Sequence, residues 1–151
     1  MGLFDFLKRR KMPATIEDAM ASQAKDFVDA FSQPRAPIDA SKLDFSEGSL
    51  HLVDQVLQDF YQRQAALPDD LHFLASGYVF ETARRQFGGR CLRGDEHNPF
   101  VLVIGEPDFR VGVLVMAKIK GRAVNGPEDN IPFFYAGIAP LVKRRASATL
   151  T

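Results

Sequence analysis

Cysteine is almost missing from this sequence of 151 residues, which contains only Cys91. A single cysteine excludes an intramolecular disulfide and any zinc or iron–sulfur site built from several thiolates. An excess of one charge is also missing, because nineteen Lys and Arg residues balance nineteen Asp and Glu residues. This balance argues against a nucleic-acid-binding protein that relies on bulk positive charge.

Long hydrophobic runs are absent as well. No stretch approaches the roughly 18 to 20 consecutive apolar residues of a membrane-spanning helix. The basic residues near the N-terminus follow a short apolar run, whereas a secretory signal has the reverse order. We therefore expect a cytoplasmic protein. Its composition, 46% hydrophobic and 25% charged, is that of a globular domain that buries a core.

The balanced total charge conceals two basic ends. Residues 1–11 carry four basic residues against Asp5, and residues 143–145 are all basic. The remaining chain holds twelve basic and eighteen acidic residues, so we predict an acidic body that attracts two basic tails. Four apolar side chains precede the first basic cluster: Leu3, Phe4, Phe6 and Leu7. Residues 1–11 therefore suit either weak contact with a membrane surface or docking on the domain or on a second copy.

Two amphipathic helices are predicted first. The earlier one begins after Thr15, whose hydroxyl can cap it, and ends before Pro34. The later one begins at Ser46, with Phe45 and Leu50 placed to form a hydrophobic staple. Its apolar stripe predicts a surface helix with one buried side, and we assign five polar residues to the exposed side: Asp54, Gln55, Gln58, Asp59 and Gln62.

A third helix is predicted from residues 68–70 to Phe87, where Gly88 and Gly89 end it. It is apolar on most sides, which indicates the central helix of the domain. Gly77 lies within it at a cost of about 1 kcal/mol relative to alanine, so we expect a neighbouring backbone to approach there. Its one buried carboxylate, Glu81, requires a partner, and Arg84 or Arg85 is spaced to supply one.

The second half has β character. We predict strands over residues 91–93, 100–104 and 109–115, forming a small antiparallel sheet. Residues 113–125 fit a strand followed by a helix, and the turn at 125–130 leads into a C-terminal helix that contains either Pro127 or Pro132 in its first turn. The fold class is α+β, with the N-terminal helices and the buried central helix packed on the sheet. Residues 14–145 form a single domain, preceded by a basic amphipathic segment at 1–13 and followed by a disordered tail at 146–151.

Motifs for catalysis are scarce. The three histidines, His51, His72 and His97, lack the spacing of metal ligands, so we expect neither a metal nor a cofactor. Arg90 and Arg93 flank Cys91, and such cations lower a thiol pKa, although a buried inert cysteine is the commoner case. No phosphate loop, dinucleotide fingerprint or nucleophile elbow occurs.

The candidate binding residues are Glu81, Arg84, Asn125, Glu128 and Asp129. Glu81 and Arg84 are read first as a structural ion pair, with general acid or base chemistry as the alternative. Glu128 and Asp129 are interpreted as acids that favour the positive end of the following helix. No catalytic residue is assigned.

Three segments carry a resemblance to a known family. They are Leu43-Asp44-Phe45-Ser46 with Ser49-Leu50 and Val53-Asp54; Gly77-Tyr78-Val79 with Glu81 and Gly88-Gly89-Arg90; and Asn125-Gly126-Pro127-Glu128-Asp129 with Phe134-Tyr135. In order and spacing they resemble an uncharacterised bacterial domain-of-unknown-function family. Its members typically have glycine at the position of Phe80 and tryptophan at the position of Cys91. The resemblance implies no established activity.

These observations favour a non-enzymatic protein-interaction domain. Its acidic body would bind a basic protein partner through the surroundings of Glu81 and the 125–130 turn. A similar layout in small acidic immunity proteins that neutralise toxins is an analogy of architecture. The alternatives are a small-ligand-binding or hydrolytic enzyme that uses Glu81 and Arg84, and peripheral membrane association through residues 1–11. Self-association also stays open, whereas no nucleic-acid partner is expected.

Overall fold

The computed structural model describes residues 15–151. The amphipathic segment predicted at residues 1–13 lies outside them. The helices are α1 (Ile16–Ala30), α2 (Leu50–Arg63), α3 (Asp69–Phe87), α4 (Val115–Asn125), α5 (Ile131–Ala136) and α6 (Ile138–Arg144). The strands are β1 (Arg90–Arg93), β2 (Phe100–Ile104), β3 (Val111–Val113) and β4 (Ala148–Leu150). The predicted α+β fold class is confirmed.

The first helix starts and ends where its caps require. The Thr15 hydroxyl accepts the backbone N–H of Asp18, as predicted. The second helix begins one turn later than predicted, because Ser46 caps a short 3₁₀ turn (Glu47–Ser49) that leads into α2. The last predicted helix is divided in two at Gly137. Pro140 has no N–H to continue the helical hydrogen bonds of α5. Helix α5 therefore ends at Ala136, and a new helix, α6, begins at Ile138.

Helix α3 is the centre of the molecule, as its apolar circumference predicts. It packs along α1, and Gly77 allows that approach: a Cβ at Gly77 would lie 2.5 Å from Gln23 Cβ and 3.1 Å from the Met20 carbonyl oxygen. The expected reason for this glycine is therefore confirmed. The largest fully buried side chains of the core come from both helices and strands: Met20, Phe27, Leu50, Leu57, Tyr78, Phe80, Leu102, Ile104, Met116, Ile119, Ile131 and Tyr135.

The sheet has the order β1-β2-β3-β4. The first three strands form the predicted antiparallel meander, with Cys91 opposite Leu102 and Leu102 opposite Val113. The prediction of a disordered tail at residues 146–151 was wrong, because residues 148–150 form β4, parallel to β3. The edge of β3 pairs with this tail, and Leu150 lies so near Gly137 that a Cβ added at Gly137 would be 3.2 Å from Leu150 Cδ2. The hydrogen bonds of this pairing hold the chain end that was expected to fray.

Candidate functional site

An open depression of about 780 Å³ lies between the start of α3, the β1–β2 turn and α4, and we call it the α3–α4 groove. Its apolar lining consists of Phe73, Pro99, Met116, Ala117 and Val124. Its polar lining consists of Asp69, Asp70, His72, Glu96, His97, Lys120, Gly121 and Asn125. Three carboxylates against one lysine make the groove acidic, and its apolar part can bury a side chain of a bound segment.

The walls of the groove are held by hydrogen bonds that do not depend on a ligand. His72 Nε2 donates to the Met116 carbonyl oxygen at 2.7 Å, which joins α3 to α4. Asn98 Oδ1 accepts the N–H of Ala117 at 3.0 Å, which ties the β1–β2 turn to the start of α4. Asp95 accepts the backbone N–H groups of Asn98 and His97, and these bonds lower its pKa. The groove is therefore pre-formed, which reduces the entropy lost on binding.

The turn that follows α4 contains three of the predicted binding residues. Asn125 Nδ2 donates to Asp129 Oδ2 at 2.9 Å, and Lys118 Nζ donates to Asp129 Oδ1 at 2.9 Å. These two donors lower the Asp129 pKa. The side chain of Asp129 thus faces α4, which corrects its assignment to the following helix. That helix, α5, is capped instead by Asn130, whose Oδ1 accepts the Phe133 N–H. Glu128 is exposed.

A buried ion pair beneath this turn was missed by the sequence reading. Asp54 of α2 lies 93% buried and accepts two hydrogen bonds from Arg122 of α4, with Nε–Oδ1 at 2.8 Å and Nη2–Oδ2 at 3.1 Å. Asp54 Oδ1 also accepts the N–H of Ile131 at 2.9 Å. Gln58 takes a further Arg122 donor at 2.6 Å. Placing Asp54 on the exposed side of α2 was therefore wrong, because its charge is matched inside the molecule.

Two of the predicted residues, Glu81 and Arg84, form a separate cluster near the end of α3. Glu81 is 4% exposed and accepts hydrogen bonds from Arg84 and from Arg85, whose Nε lies 3.0 Å from Oε1. The Arg85 guanidinium lies 3.8 Å from the centre of the Phe45 ring. Phe45 in turn stacks on Tyr78 with ring centres 4.8 Å apart. The predicted i, i+3 and i, i+4 pairs both exist, and they occupy both carboxylate oxygens of Glu81.

The Tyr78 hydroxyl fixes the start of α2 to α3. It accepts the N–H of Phe45 at 3.0 Å and lies 2.7 Å from Ser49 Oγ, which donates to the Ser46 carbonyl oxygen at 2.6 Å. Because the single hydroxyl proton of Ser49 goes to the Ser46 carbonyl oxygen, the Tyr78 hydroxyl is the donor in its bond to Ser49 Oγ. Burial raises the Tyr78 pKa. This network positions Phe45, whose φ of 62° is in the left-handed region.

Cys91 is buried on β1, and its surroundings oppose thiolate formation. Burial, followed by the charge of the nearby Glu17 carboxylate, raises its pKa to about 12. Glu17 Oε1 accepts the Cys91 N–H at 2.7 Å. Arg90, which was expected to lower that pKa, donates instead to Glu106 at 2.8 Å. The thiol is therefore placed as an inert core group.

The structure does not unite the two predicted halves of the site. Asn125 lines the α3–α4 groove beside Asp69, the first residue of α3. Glu81 lies twelve residues further along α3, which is about 18 Å at 1.5 Å per residue. Asn125, Glu128 and Asp129 thus belong to the groove end of the molecule, and Glu81 and Arg84 to the other end of α3.

Exposed apolar side chains are found at the groove end. Val124 is 67% exposed at the edge of the groove, and Phe133 is 82% exposed on α5, just beyond the 125–130 turn. Tyr61 packs on Gly126, where a Cβ would lie 2.5 Å from the tyrosine ring. Such side chains at the edge of an acidic depression are typical of protein-binding surfaces.

Within residues 15–151, no group of three His, Cys, Asp or Glu side chains is arranged to hold a metal ion. No helix in that range combines the length and hydrophobicity needed to cross a bilayer. The sequence matches no protein-family model, and comparisons with curated proteins and with solved structures gave no match. The predicted relationship to a domain-of-unknown-function family therefore stays a prediction.

Proposed function

We propose that this protein is a non-enzymatic, cytoplasmic interaction domain that binds a basic segment of a partner protein in the α3–α4 groove. The observation that carries the proposal is the groove itself, which combines apolar lining residues, three carboxylates and walls fixed by hydrogen bonds. A segment with apolar side chains flanked by lysine or arginine complements each of these features.

The charge of the molecule supports the same partner chemistry. Residues 15–151 hold fifteen basic and eighteen acidic residues, so the described part is negatively charged overall. At the groove, Asp69, Asp70 and Glu96 outnumber Lys120. Opposite charges at an interface accelerate encounter and select among partners, and the effect weakens as salt is added.

The hydrolytic alternative has less support from the structure. Glu81, its candidate acid or base, is 4% exposed and is ion-paired through both oxygens with Arg84 and Arg85. Cys91, the one thiol, is buried with its pKa raised to about 12. A general base requires a free lone pair within reach of a substrate, and a nucleophilic cysteine requires a thiolate.

Site-specific photo-cross-linking in the source cells tests the proposal. We would introduce p-benzoyl-phenylalanine at Val124, beside the groove, or at Asp59, which is exposed on α2. We expect a discrete adduct from position 124, identified by mass spectrometry as a protein attached through a basic segment, and none from position 59. The adduct should disappear in Asp69→Lys/Glu96→Lys and persist in the charge-matched control Asp29→Lys/Glu47→Lys. Equal adducts at both positions, or no adduct at position 124, would overturn the proposal.

A further inference from the structure

The sequence itself contains a segment with the chemistry that the α3–α4 groove selects. Residues 1–14 begin with an apolar group (Leu3, Phe4, Phe6 and Leu7) and continue with a basic group (Lys8, Arg9, Arg10 and Lys11). We infer that this N-terminal segment occupies the groove of its own chain and competes there with the basic partner. The inference rests on the proposed function and names the regulation of the same site.

The start of α1 lies close enough to the groove for this contact. The Glu17 carboxylate accepts the backbone N–H of Cys91, so the first turn of α1, which follows residues 1–14, lies beside β1. Glu96 of the groove is five residues beyond Cys91, which limits the distance between their Cα atoms to about 18 Å at 3.6 Å per residue. A fourteen-residue segment spans about 46 Å when extended and about 21 Å as a helix, so either conformation reaches.

The charges and the apolar groups are also complementary in kind. Residues 1–14 carry a net charge of +3, and the groove presents three carboxylates against Lys120. Phe73, Met116 and Val124 in the lining offer apolar surface of the kind that leucine and phenylalanine side chains bind. Burying such side chains removes apolar surface from water and so favours the contact.

The other basic tail already shows this behaviour. Arg145, in the C-terminal basic cluster, binds the body through Asp108 at 2.6 Å, and its guanidinium lies 5.6 Å from the centre of the Phe109 ring. A carboxylate and an aromatic ring of the body therefore bind the guanidinium of Arg145. The groove offers Asp69, Glu96 and Phe73 for the equivalent interaction with the other tail.

Tethering makes the segment an effective competitor. A short covalent linker holds an attached segment at an effective concentration in the millimolar range. A partner must then displace the segment, and its apparent affinity is reduced by the fraction of time for which the groove is occupied. Removal of residues 1–14 should therefore strengthen partner binding without changing any residue that lines the groove.

Photo-cross-linking of the purified full chain tests the inference. With p-benzoyl-phenylalanine at Val124, we expect an intramolecular adduct to residues 1–14 whose yield does not depend on protein concentration. Asp69→Lys/Glu96→Lys should lower the yield about tenfold, the equivalent of 1.4 kcal/mol, and further reversal of Arg9→Glu/Arg10→Glu should restore it. Glu96→Lys alone avoids the helix start and should lower the yield in the same direction. The control Asp29→Lys/Glu47→Lys should leave it unchanged.

Three results would overturn the inference. The first is no adduct to residues 1–14 in a folded chain, and the second is an adduct to another copy whose yield rises with concentration. The third is sedimentation with phosphatidylglycerol vesicles that requires residues 1–14, while no intramolecular adduct forms. An adduct to a partner in cells without the intramolecular one would refute this inference and leave the proposed function standing. An intramolecular adduct without any partner adduct in cells would refute the proposed function and leave the binding of residues 1–14 in the groove standing.

Discussion

Asp54 and Arg122, 68 residues apart in the sequence, form an ion pair in which both side chains are at least nine-tenths buried. The pair joins α2 to α4, and the same Asp54 carboxylate accepts the first N–H of α5. It therefore fixes the relative positions of the three helices around the 125–130 turn. The position of Val124 and Asn125 at the groove depends on this connection.

Breaking this pair should be costly. Asp54→Asn keeps the size of the side chain but leaves the Arg122 charge buried without its carboxylate, so we expect a loss of about 3 to 5 kcal/mol in the free energy of unfolding. Urea denaturation followed by circular dichroism measures the loss. The matched variant is Asp59→Asn, which removes an exposed i, i+4 partner of Arg63 and should cost less than about 1 kcal/mol. Equal losses in the two variants would contradict the assigned role of Asp54.

Gly77→Ala should destabilise the protein although alanine favours helix formation. The added Cβ would meet the Gln23 side chain at 2.5 Å and the backbone of α1 near 3.1 Å, so α1 must move. We expect a loss of about 1 to 3 kcal/mol in the free energy of unfolding, measured by thermal and urea denaturation. Gly48→Ala is the control, because its nearest neighbour would be 3.9 Å away. A Gly77→Ala protein as stable as the Gly48→Ala protein would refute the close approach.

Cys91 should react slowly with alkylating agents. With a pKa of about 12, its thiolate fraction at pH 9 is roughly three orders of magnitude below that of a free cysteine. The rate of iodoacetamide labelling of the native chain, compared with that in urea, checks this. The raised pKa also makes the free energy of unfolding depend on pH. The contribution of the protonated Cys91 thiol is complete below the unfolded pKa of about 8.5, and it is lost as the pH rises towards the folded pKa. Rapid labelling of the folded chain at neutral pH would show an activated thiol instead.

Asp129 should make the protein less stable in acid. Its folded pKa is lowered by Asn125 and Lys118, so its contribution is present above the unfolded pKa of about 3.9 and is lost as the pH falls through the folded value. The free energy of unfolding of the wild type should therefore approach that of Asp129→Asn between about pH 5 and pH 2. A difference between the two proteins that stays constant over this range would mean that the carboxylate charge is not involved.

Local signals in the sequence were sufficient for most of the fold. The Thr15 cap, the prolines after α1 and the apolar circumference of α3 depend on neighbouring residues, and the structure agrees with each. The strand at 148–150 could not be predicted, because its hydrogen-bond partners on β3 lie 37 residues away in the sequence. Periodicity describes one segment at a time, whereas an edge strand depends on a distant segment.

The candidate site shows the same division. The Glu81 pair with Arg84 was predictable from i, i+3 spacing, but its meaning was not, since only the structure shows both oxygens occupied. Asp54 looked like an exposed acid because its partner is on another helix. The groove joins residues 69–73, 96–99 and 116–125, and no sequence pattern indicates that these three segments meet.

Glu81 is placed as an architectural residue, and its removal tests that role. Glu81→Gln loses charge-assisted bonds to Arg84 and Arg85, whose side chains are 36% and 53% exposed and can be hydrated instead. We therefore expect a moderate loss of about 1 to 3 kcal/mol in the free energy of unfolding, measured in urea, with partner cross-linking at position 124 retained. Loss of that cross-link in a stably folded Glu81→Gln protein would instead implicate Glu81 in binding.

The most direct measurement compares partner capture at the two ends of α3. The photo-cross-linker is placed in the source cells at Val124, beside the groove, or at Arg84, on the exposed side of the Glu81 cluster. We predict a discrete protein adduct at position 124 that grows stronger when residues 1–14 are removed, and no discrete adduct at position 84. A partner captured at position 84 and not at position 124 would contradict the assignment of the groove as the binding site.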